Sequence, residues 1–225
     1  MKPHVKILIL NWNGSHLLKS CLDSVLKINY PNYSILVIDN ASSDTSLEML
    51  KNSYPQVECM ALEKNYGFAG GYNQCISKLR DSANKFLFFL NNDTEVDSNI
   101  LNSLIQAAEK YGSKNIYGGK IFYQHKPDLI WYAGGIVKLP FGYIVHRGLR
   151  KKDSAEFSEE LQTDYVTGCS LFTAVETVKI LNGFDEAFNM YGEDVDFCIR
   201  AKKNNINCYM IPSAKIWHKV SASIG

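Results

Sequence analysis

Three carboxylates fall within four positions at Glu193, Asp194 and Asp196, directly after Tyr191-Gly192. Carboxylates that close repel one another, so the cluster costs stability unless a cation, a substrate proton or a hydrogen-bond donor offsets it. The plain alternative is that acidic residues in a first helical turn complement the helix dipole. One or two carboxylates fit that alternative. Three of them, with a second acidic site at Asn91-Asn92-Asp93, favour catalysis. The segment reads as a helix beginning at the cluster, with apolar Phe197, Ile199 and Ala201 and an Asp196/Arg200 pair at i,i+4 spacing.

Both acidic sites need a scaffold, and the first half of the chain supplies the pattern of one. Short apolar runs at residues 5–10, 34–38, 57–62 and 86–90 have the length of buried strands. Between them, residues 15–27, 43–53 and 69–82 read as helices. In the first of these, Leu18, Cys21, Leu22, Val25 and Leu26 form one apolar stripe. Ser42-Ser43-Asp44 offers caps for the second helix, and Asp97-Ser98 for a further helix over residues 99–110. Alternating strands and helices predict an α/β fold with a parallel, twisted sheet covered on both faces. The second half differs. Strands are expected at residues 116–123, 130–137, 143–146, 164–175 and 207–211, with a short helix at 177–181. Loops there contain Pro127, Gly134-Gly135 and Pro140.

Ligands collect at the carboxyl ends of parallel strands. Those ends read Asn11-Trp12-Asn13-Gly14, Asp39-Asn40-Ala41-Ser42-Ser43-Asp44, the glycine-rich segment from Asn65 through Gly67, Gly70 and Gly71 to Asn73, and Asn91-Asn92-Asp93-Thr94. One polar strand end is ordinary. Four together delineate a site. The three glycines at a helix start let backbone approach a ligand, and helix N–H groups favour anions. The spacing is not that of a dinucleotide fingerprint, and it follows the third strand instead of the first.

Composition bounds the function. The 225 residues can bury a sizeable core as one domain. Net charge is +1, so no basic field of the kind nucleic-acid binders carry is present, and no nucleic-acid partner is expected. The run Arg147 to Lys152 is basic but local, a solvated loop or, less plainly, a contact for anionic lipid or phosphate. Six cysteines without a C-x-x-C pair predict a reduced, cytoplasmic chain. Neither a signal-peptide layout nor an apolar run of spanning length stands out, so the Asn-x-Ser/Thr triplets at Asn32, Asn40 and Asn92 read as chance.

Seven motifs in order, from Asn11-Trp12-Asn13-Gly14 through the segments at Asp39, Asn65, Asn91 and Gly183-Phe184-Asp185-Glu186 to the Tyr191–Arg200 stretch and Pro212-x-Ala214-x-x-x-His218, resemble glycosyltransferase family 2. The similarity covers residues 5–221 and is strongest to the rhamnosyltransferase-like branch, inverting enzymes of the GT-A fold. The resemblance implies a Rossmann-like, mostly parallel sheet with a smaller mixed region on the acceptor side. It also implies one domain, with a nucleotide half near 1–95 and an acceptor half near 96–225.

By that resemblance Asp39 binds the nucleotide base, with turn formation as its plain alternative. Asn11 and Asn13 shape the nucleotide pocket, and Trp12 belongs equally to pocket or core. Asn65 and Gly67 lie over nucleotide and sugar, with Asn92 beside them. Asp44 is a nucleotide contact by that resemblance or only a helix cap, the cap being the reading preferred. Asp93 and His218 are the metal ligands for Mg²⁺ or Mn²⁺. The family's paired aspartates are here Asn91-Asn92-Asp93, so diphosphate oxygens and waters must complete the shell. Asp194 is the general base, Glu193 and Asp196 bind the acceptor, and Asp185 and Glu186 organise the loop before the helix. Trp131-Tyr132-Ala133-Gly134-Gly135 reads equally as a mobile acceptor-side loop or as strand and turn.

The expected activity is transfer of a sugar from a nucleotide diphosphate (dTDP-rhamnose, a UDP- or a GDP-sugar) to a hydroxyl of a glycan or lipid-linked saccharide, with peripheral contact at the inner face of the membrane. Relatives continue with further helices, so a short form is expected. Rival readings are a sugar-phosphate nucleotidyltransferase, against which the first strand end lacks a Gly-rich loop, and a non-catalytic sugar-nucleotide-binding subunit, against which Glu193-Asp194 is intact.

Overall fold

A computed structural model describes residues 2–79, 85–138, 142–188 and 191–220. Pro140, the far end of the third expected helix and the tail at 221–225 lie outside them. In the first half, strands β1 (Val5–Asn11), β2 (Tyr33–Asp39), β3 (Glu58–Ala61) and β4 (Phe86–Asn91) alternate with α1 (Ser15–Val25), α2 (Ser46–Ser53) and α3 (Gly67–Lys78). The strands pair in parallel in the order β3-β2-β1-β4. The reason is legible in β1, where neighbouring Ile7, Leu8 and Ile9 are all fully buried, so both faces of the strand are covered. Helix α1 buries the expected stripe, Leu18, Cys21, Leu22 and Val25.

Beyond β4 the sheet turns mixed. The elements are β5 (Thr94–Val96), α4 (Ile100–Tyr111), β6 (Ile116–Tyr123), β7 (Lys126–Tyr132), β8 (Gly135–Lys138), β9 (Tyr143–His146), β10 (Leu161–Thr163), β11 (Ser170–Ala174), α5 (Val175–Leu181), α6 (Glu193–Lys203) and β12 (Cys208–His218). Strand β11 runs antiparallel to β4 and joins it to β6, which pairs in parallel with β12. The three longest ladders, β6/β12, β1/β2 and β1/β4, are parallel. Strands β8 and β9 form a separate two-stranded sheet.

Several expectations are corrected. The run at 130–137 is two strands, because Gly134 at φ +110° breaks it. Trp131 and Tyr132 therefore sit at the end of a strand, with a turn after them. The stretch 164–175 is a strand only from Ser170 onward. Its first part is a loop that proves central to the site. Strand β12 continues seven residues beyond the expected end at Ile211 and finishes at His218. It does so through a bulge. Ile211 pairs with Gly119 and Lys215 with Lys120, so β12 carries three extra residues where β6 takes one step. Pro212, which cannot donate to a ladder, falls in that bulge. Strands β5 and β10, three residues each, were not anticipated.

Candidate active site

The carboxyl ends of β1, β2 and β4 are tied together by side-chain amides. Asn11 Nδ2 donates to Asp39 Oδ2 at 3.1 Å, and Asn92 Nδ2 donates to Asn11 Oδ1 at 2.8 Å. Asp39 Oδ1 accepts from the Ser42 N–H at 2.8 Å, so its turn-forming role is realised. Asn13 sits at φ +48° and accepts from the Ser43 N–H at 2.7 Å. Asp39 and Asn11 are fully buried among described residues. Trp12 is 52% exposed, which removes it from the core. Asp44 caps two helices at once, accepting from the Ser46 N–H at 2.9 Å and the Ser15 N–H at 3.0 Å. These bonds outweigh its desolvation and hold its pKa below the usual carboxylate value.

Asn65 Oδ1 accepts from Asn40 Nδ2 at 2.7 Å and from the Gly67 N–H at 2.8 Å, while Gly67 adopts φ +70° at the start of α3. Asn40, given no role of its own in the sequence, also accepts from the Tyr66 N–H. It is the hub that fastens the glycine-rich segment to β2. Not every glycine there serves ligand approach. A Cβ on Gly71 would stand 2.6 Å from Leu10 Cδ1, so that glycine lets α3 press on β1.

The acidic turn is fixed by three contacts. Asn73 of α3 donates to the Phe184 carbonyl at 2.8 Å and to Glu186 Oε1 at 2.9 Å, and accepts from the Phe184 N–H at 3.0 Å. Asp185 Oδ1 accepts from the Ala187 N–H, so both acids of this loop organise it. Phe184 then packs on Tyr72, Phe89 and Phe197, joining α3, β4 and α6 in one aromatic cluster. Arg200 Nε donates to Asp196 Oδ2 at 2.7 Å, and Arg200 also donates to the Leu181 carbonyl, which ties α6 to α5. Tyr191 and Gly192 lead into α6 with φ of +68° and +98°. Glu193 is 7% exposed, its Oε2 has no hydrogen-bond partner among the described residues, and burial raises its pKa.

Asp194 is half-buried. Its Oδ2 accepts from the Gly168 N–H at 2.7 Å and its Oδ1 from the Val195 N–H at 2.8 Å. The next residue, Cys169, accepts from the Asn91 N–H at 3.1 Å through its carbonyl. Asp93 lies two residues on from Asn91. The fully buried Cys169 thiol is pushed well up in pKa, first by desolvation and then by the charges of Asp93 and Asp194 together. The two acidic sites of the sequence therefore meet at one end of the sheet. Gly168 is the missed residue at the junction, and the loop expected as strand hid it. Two surface hollows, of about 400 and 630 Å³, include none of Asp39, Asp93 and Asp194.

His218 closes the arrangement. It pairs with Thr94 across the antiparallel β12/β5 ladder, and the Lys219 N–H donates to the Asp93 carbonyl at 3.0 Å. His218 Nε2 stands 3.1 Å from Asp93 Oδ1, both residues nearly buried. An octahedral shell with bonds of about 2.1 Å separates adjacent ligand atoms by about 3 Å, so this pair fits two positions of a divalent cation. Among the described residues no third His, Cys, Asp or Glu completes the group, so further ligands must come from elsewhere. Trp131 lies between two imidazoles, edge-on to His218 at 4.6 Å and to His146 at 4.4 Å. His146, also missed, bonds the Trp131 carbonyl through Nδ1 at 3.2 Å, and burial lowers its pKa.

Comparison with known proteins decides the family. The model of "Glycosyl transferase family 2" matches residues 6–174, about three-quarters of the chain. The chain belongs to glycosyltransferase family 2. Among curated relatives of this family 2 chain, N-acetylglucosaminyl-diphospho-decaprenol L-rhamnosyltransferase of Mycobacterium tuberculosis is 24% identical over 94% of this chain and 74% of its own length. The O-antigen biosynthesis protein RfbC of Myxococcus xanthus is 24% identical over 98% of this chain, which spans 18% of that relative. Among solved structures, GalNAc-T7 with UDP, GalNAc and Mn²⁺ superposes with a TM-score of 0.78 at 16% identity, over 96% of this chain and 44% of the other. S. aureus TarS gives 0.68 at 16% identity, over 97% and 37%. The fold is GT-A, the α/β architecture of those neighbours.

Proposed function

We propose that the chain is an inverting glycosyltransferase that moves a sugar from a nucleotide diphosphate donor to a hydroxyl of a lipid-linked saccharide, with a divalent cation at Asp93 and His218. The observation that carries this reading is that one loop joins the two acidic sites: the Gly168 N–H donates to Asp194 and the Cys169 carbonyl accepts from Asn91, two residues before Asp93. The relatives' printed names add support. One is a decaprenol-linked rhamnosyltransferase, and another, from Escherichia coli, is a UDP-Glc:alpha-D-GlcNAc-diphosphoundecaprenol beta-1,3-glucosyltransferase, 30% identical over 51% of this chain.

Asp39 takes the nucleotide base, Asn11 and Asn13 wall its pocket, and Asn65, Gly67 and Asn92 follow the donor towards the reacting sugar. Asp93 and His218 would hold a Mg²⁺ or Mn²⁺, whose charge would offset that of the departing diphosphate. Asp194 removes the acceptor hydroxyl proton as that oxygen bonds to the anomeric carbon, while the bond from that carbon to the diphosphate breaks on the opposite face. The proton ends on Asp194 and the configuration inverts. A carboxylate has lone pairs to spare beyond the two backbone N–H groups it already accepts, so it can still receive a proton. Glu193 and Asp196 lie on the same turn, on the acceptor side. The relatives act at lipid carriers by name, yet no helix among the described residues is long and apolar enough to cross a membrane.

A panel of sugar nucleotides with Mn²⁺ or Mg²⁺ tests the reading through thermal unfolding, because a ligand bound only to the folded form raises the midpoint. One donor is expected to raise it and then to be consumed when a lipid-linked acceptor is added. If no sugar nucleotide shifts the midpoint, the donor reading is wrong.

A further inference from the structure

The β8/β9 hairpin is out of keeping with the rest of the surface. Its pairing sets Gly135 against His146, Ile136 against Val145, Val137 against Ile144 and Lys138 against Tyr143. Side chains alternate along a strand, so Ile136, Lys138, Tyr143 and Val145 share one face. Every apolar residue of that face is exposed: Ile136 38%, Val145 36% and Tyr143 63%. On the other face Val137 packs on the core, while Ile144 stays 51% exposed. Leu149, a few residues on, is 41% exposed. A two-stranded hairpin has little stability of its own, and this one is fastened at its base. Thr163 Oγ1 accepts from the Gly135 N–H at 2.6 Å, Asp164 Oδ2 accepts from the Val137 N–H at 3.0 Å, and the Arg147 N–H donates to the Gly134 carbonyl at 2.7 Å. These bonds hold the base, and the apolar outer face stays exposed.

Charge selects the occupant. Lys138 sits within the apolar face, and Arg150 and Lys152 follow past the hairpin's base, along Ile130 and Leu129 of β7. None of these three has a carboxylate within ion-pair distance among the described residues. Of the acids nearby, Asp153 pairs with buried Lys120 at 2.7 Å and Glu156 with Lys151 at 3.8 Å, which leaves Asp128 against the three cations. Lysine is depleted in the cores of protein–protein interfaces. Tyrosine and aliphatic side chains beside uncompensated Lys and Arg instead suit the boundary of an anionic bilayer.

We propose that the β8/β9 hairpin, with Leu149, Arg150 and Lys152, docks this chain on an anionic lipid surface. The consequence for the site is positional. His146, at the inner end of β9, packs on Trp131, which packs on His218. A bilayer touching the hairpin would therefore lie two ring contacts from His218, on the side from which this reading brings the lipid-linked saccharide. This deepens, and rests on, the lipid-linked acceptor reading above.

Flotation of the purified chain with vesicles tests it, using phosphatidylcholine alone and phosphatidylcholine mixed with phosphatidylglycerol. The chain is expected to float with the mixed vesicles only, and less as salt rises. The double variant Tyr143→Ser, Ile144→Ser changes exposed residues and is expected to keep its melting midpoint while floating roughly tenfold more weakly. Lys138→Glu with Arg150→Glu should abolish the preference for phosphatidylglycerol. Transfer to a water-soluble acceptor should be unchanged in the Tyr143/Ile144 variant, and transfer to a vesicle-embedded acceptor reduced. The proposal is overturned if the unaltered chain does not float, if the variant floats equally, or if sedimentation shows the variant splitting a dimer, which would make the hairpin a self-contact. Flotation without transfer to any acceptor would instead sink the enzymatic reading and leave the docking surface standing.

Discussion

His218 Nε2 faces Asp93 Oδ1 at 3.1 Å because His218 pairs with Thr94 on the last rung of the β12/β5 ladder and the next N–H, that of Lys219, donates to the Asp93 carbonyl at 3.0 Å. Backbone pairing fixes His218, and Asp93 is held in the turn between β4 and β5 by its carbonyl bond to Lys219. His218→Ala is therefore expected to weaken Mn²⁺ binding at least tenfold in the presence of a nucleoside diphosphate, measured by calorimetry. Without nucleotide, binding to the unaltered chain is expected to be weak already, since two protein ligands leave most of an octahedral shell to others. Equal Mn²⁺ affinity in the variant would remove His218 from the metal site.

Trp131 supports that ligand from behind, wedged between the rings of His146 and His218. Hydrogen-bonded partners that orient a ligand imidazole are worth about 10–100-fold in metal affinity, and ring packing that fixes the same orientation is set at the low end of that range. Trp131→Leu is expected to lose about tenfold in Mn²⁺ affinity while donor nucleotide binding without metal is unchanged. Unchanged Mn²⁺ affinity would reduce Trp131 to a packing residue.

Removal of the base has a different signature. Asp194→Asn keeps the size of the side chain and an oxygen able to accept from the Gly168 N–H. It is expected to lower the transfer rate by about 10²–10⁴-fold, the usual worth of a positioned acid or base, with donor affinity little changed. Single-turnover rates alongside nucleotide binding separate the two. Transfer at the unaltered rate would mean that another group takes the proton.

Glu193 offers a pH test. Burial raises its folded-state pKa above the ordinary value of 4.5. The folded chain thus holds this proton more tightly than the unfolded one. Stability from that difference is fully present below the unfolded pKa and is lost as pH rises through the folded value. Glu193→Gln, which cannot ionise, should not show this loss. Denaturant midpoints of the two proteins are expected to diverge as pH climbs from 4 towards 7, in favour of the glutamine variant. Parallel midpoints across that range would show that the carboxyl is solvated in solution.

How much of this the sequence disclosed depends on whether a feature was local. The four parallel strands and their helices were readable because each is one uninterrupted apolar run or one stripe, and Asp44 reads as a cap from its neighbours alone. Asp93, Asp194 and His218 were found as motifs. The device that unites them was not. Gly168 meets Asp194 across 26 residues of chain, and β5 is three residues long. Asn40 and His146 look ordinary in sequence, since their significance lies in partners 25 and 15 residues away. Glycine in the Asn65–Asn73 segment pointed to a ligand, whereas Gly71 is small because Leu10 is close.

Gly119 carries the last expectation. It sits where β12 bulges past β6, and a Cβ built there would stand 2.2 Å from the backbone oxygen of Ala214. Leu10 can swing aside from Gly71, but the Ala214 carbonyl is backbone of the bulge itself, so making room means moving the bulge. The three extra residues of β12 at this point decide which residue finally reaches Thr94. Gly119→Ala is therefore expected to cost about 3 kcal/mol in urea unfolding. The fraction that stays folded should also bind Mn²⁺ less well, because a shifted β12 moves His218 off Asp93. If the variant loses stability yet keeps full metal affinity, the bulge does not set the register of the metal ligand, and the β5 pairing holds His218 without it.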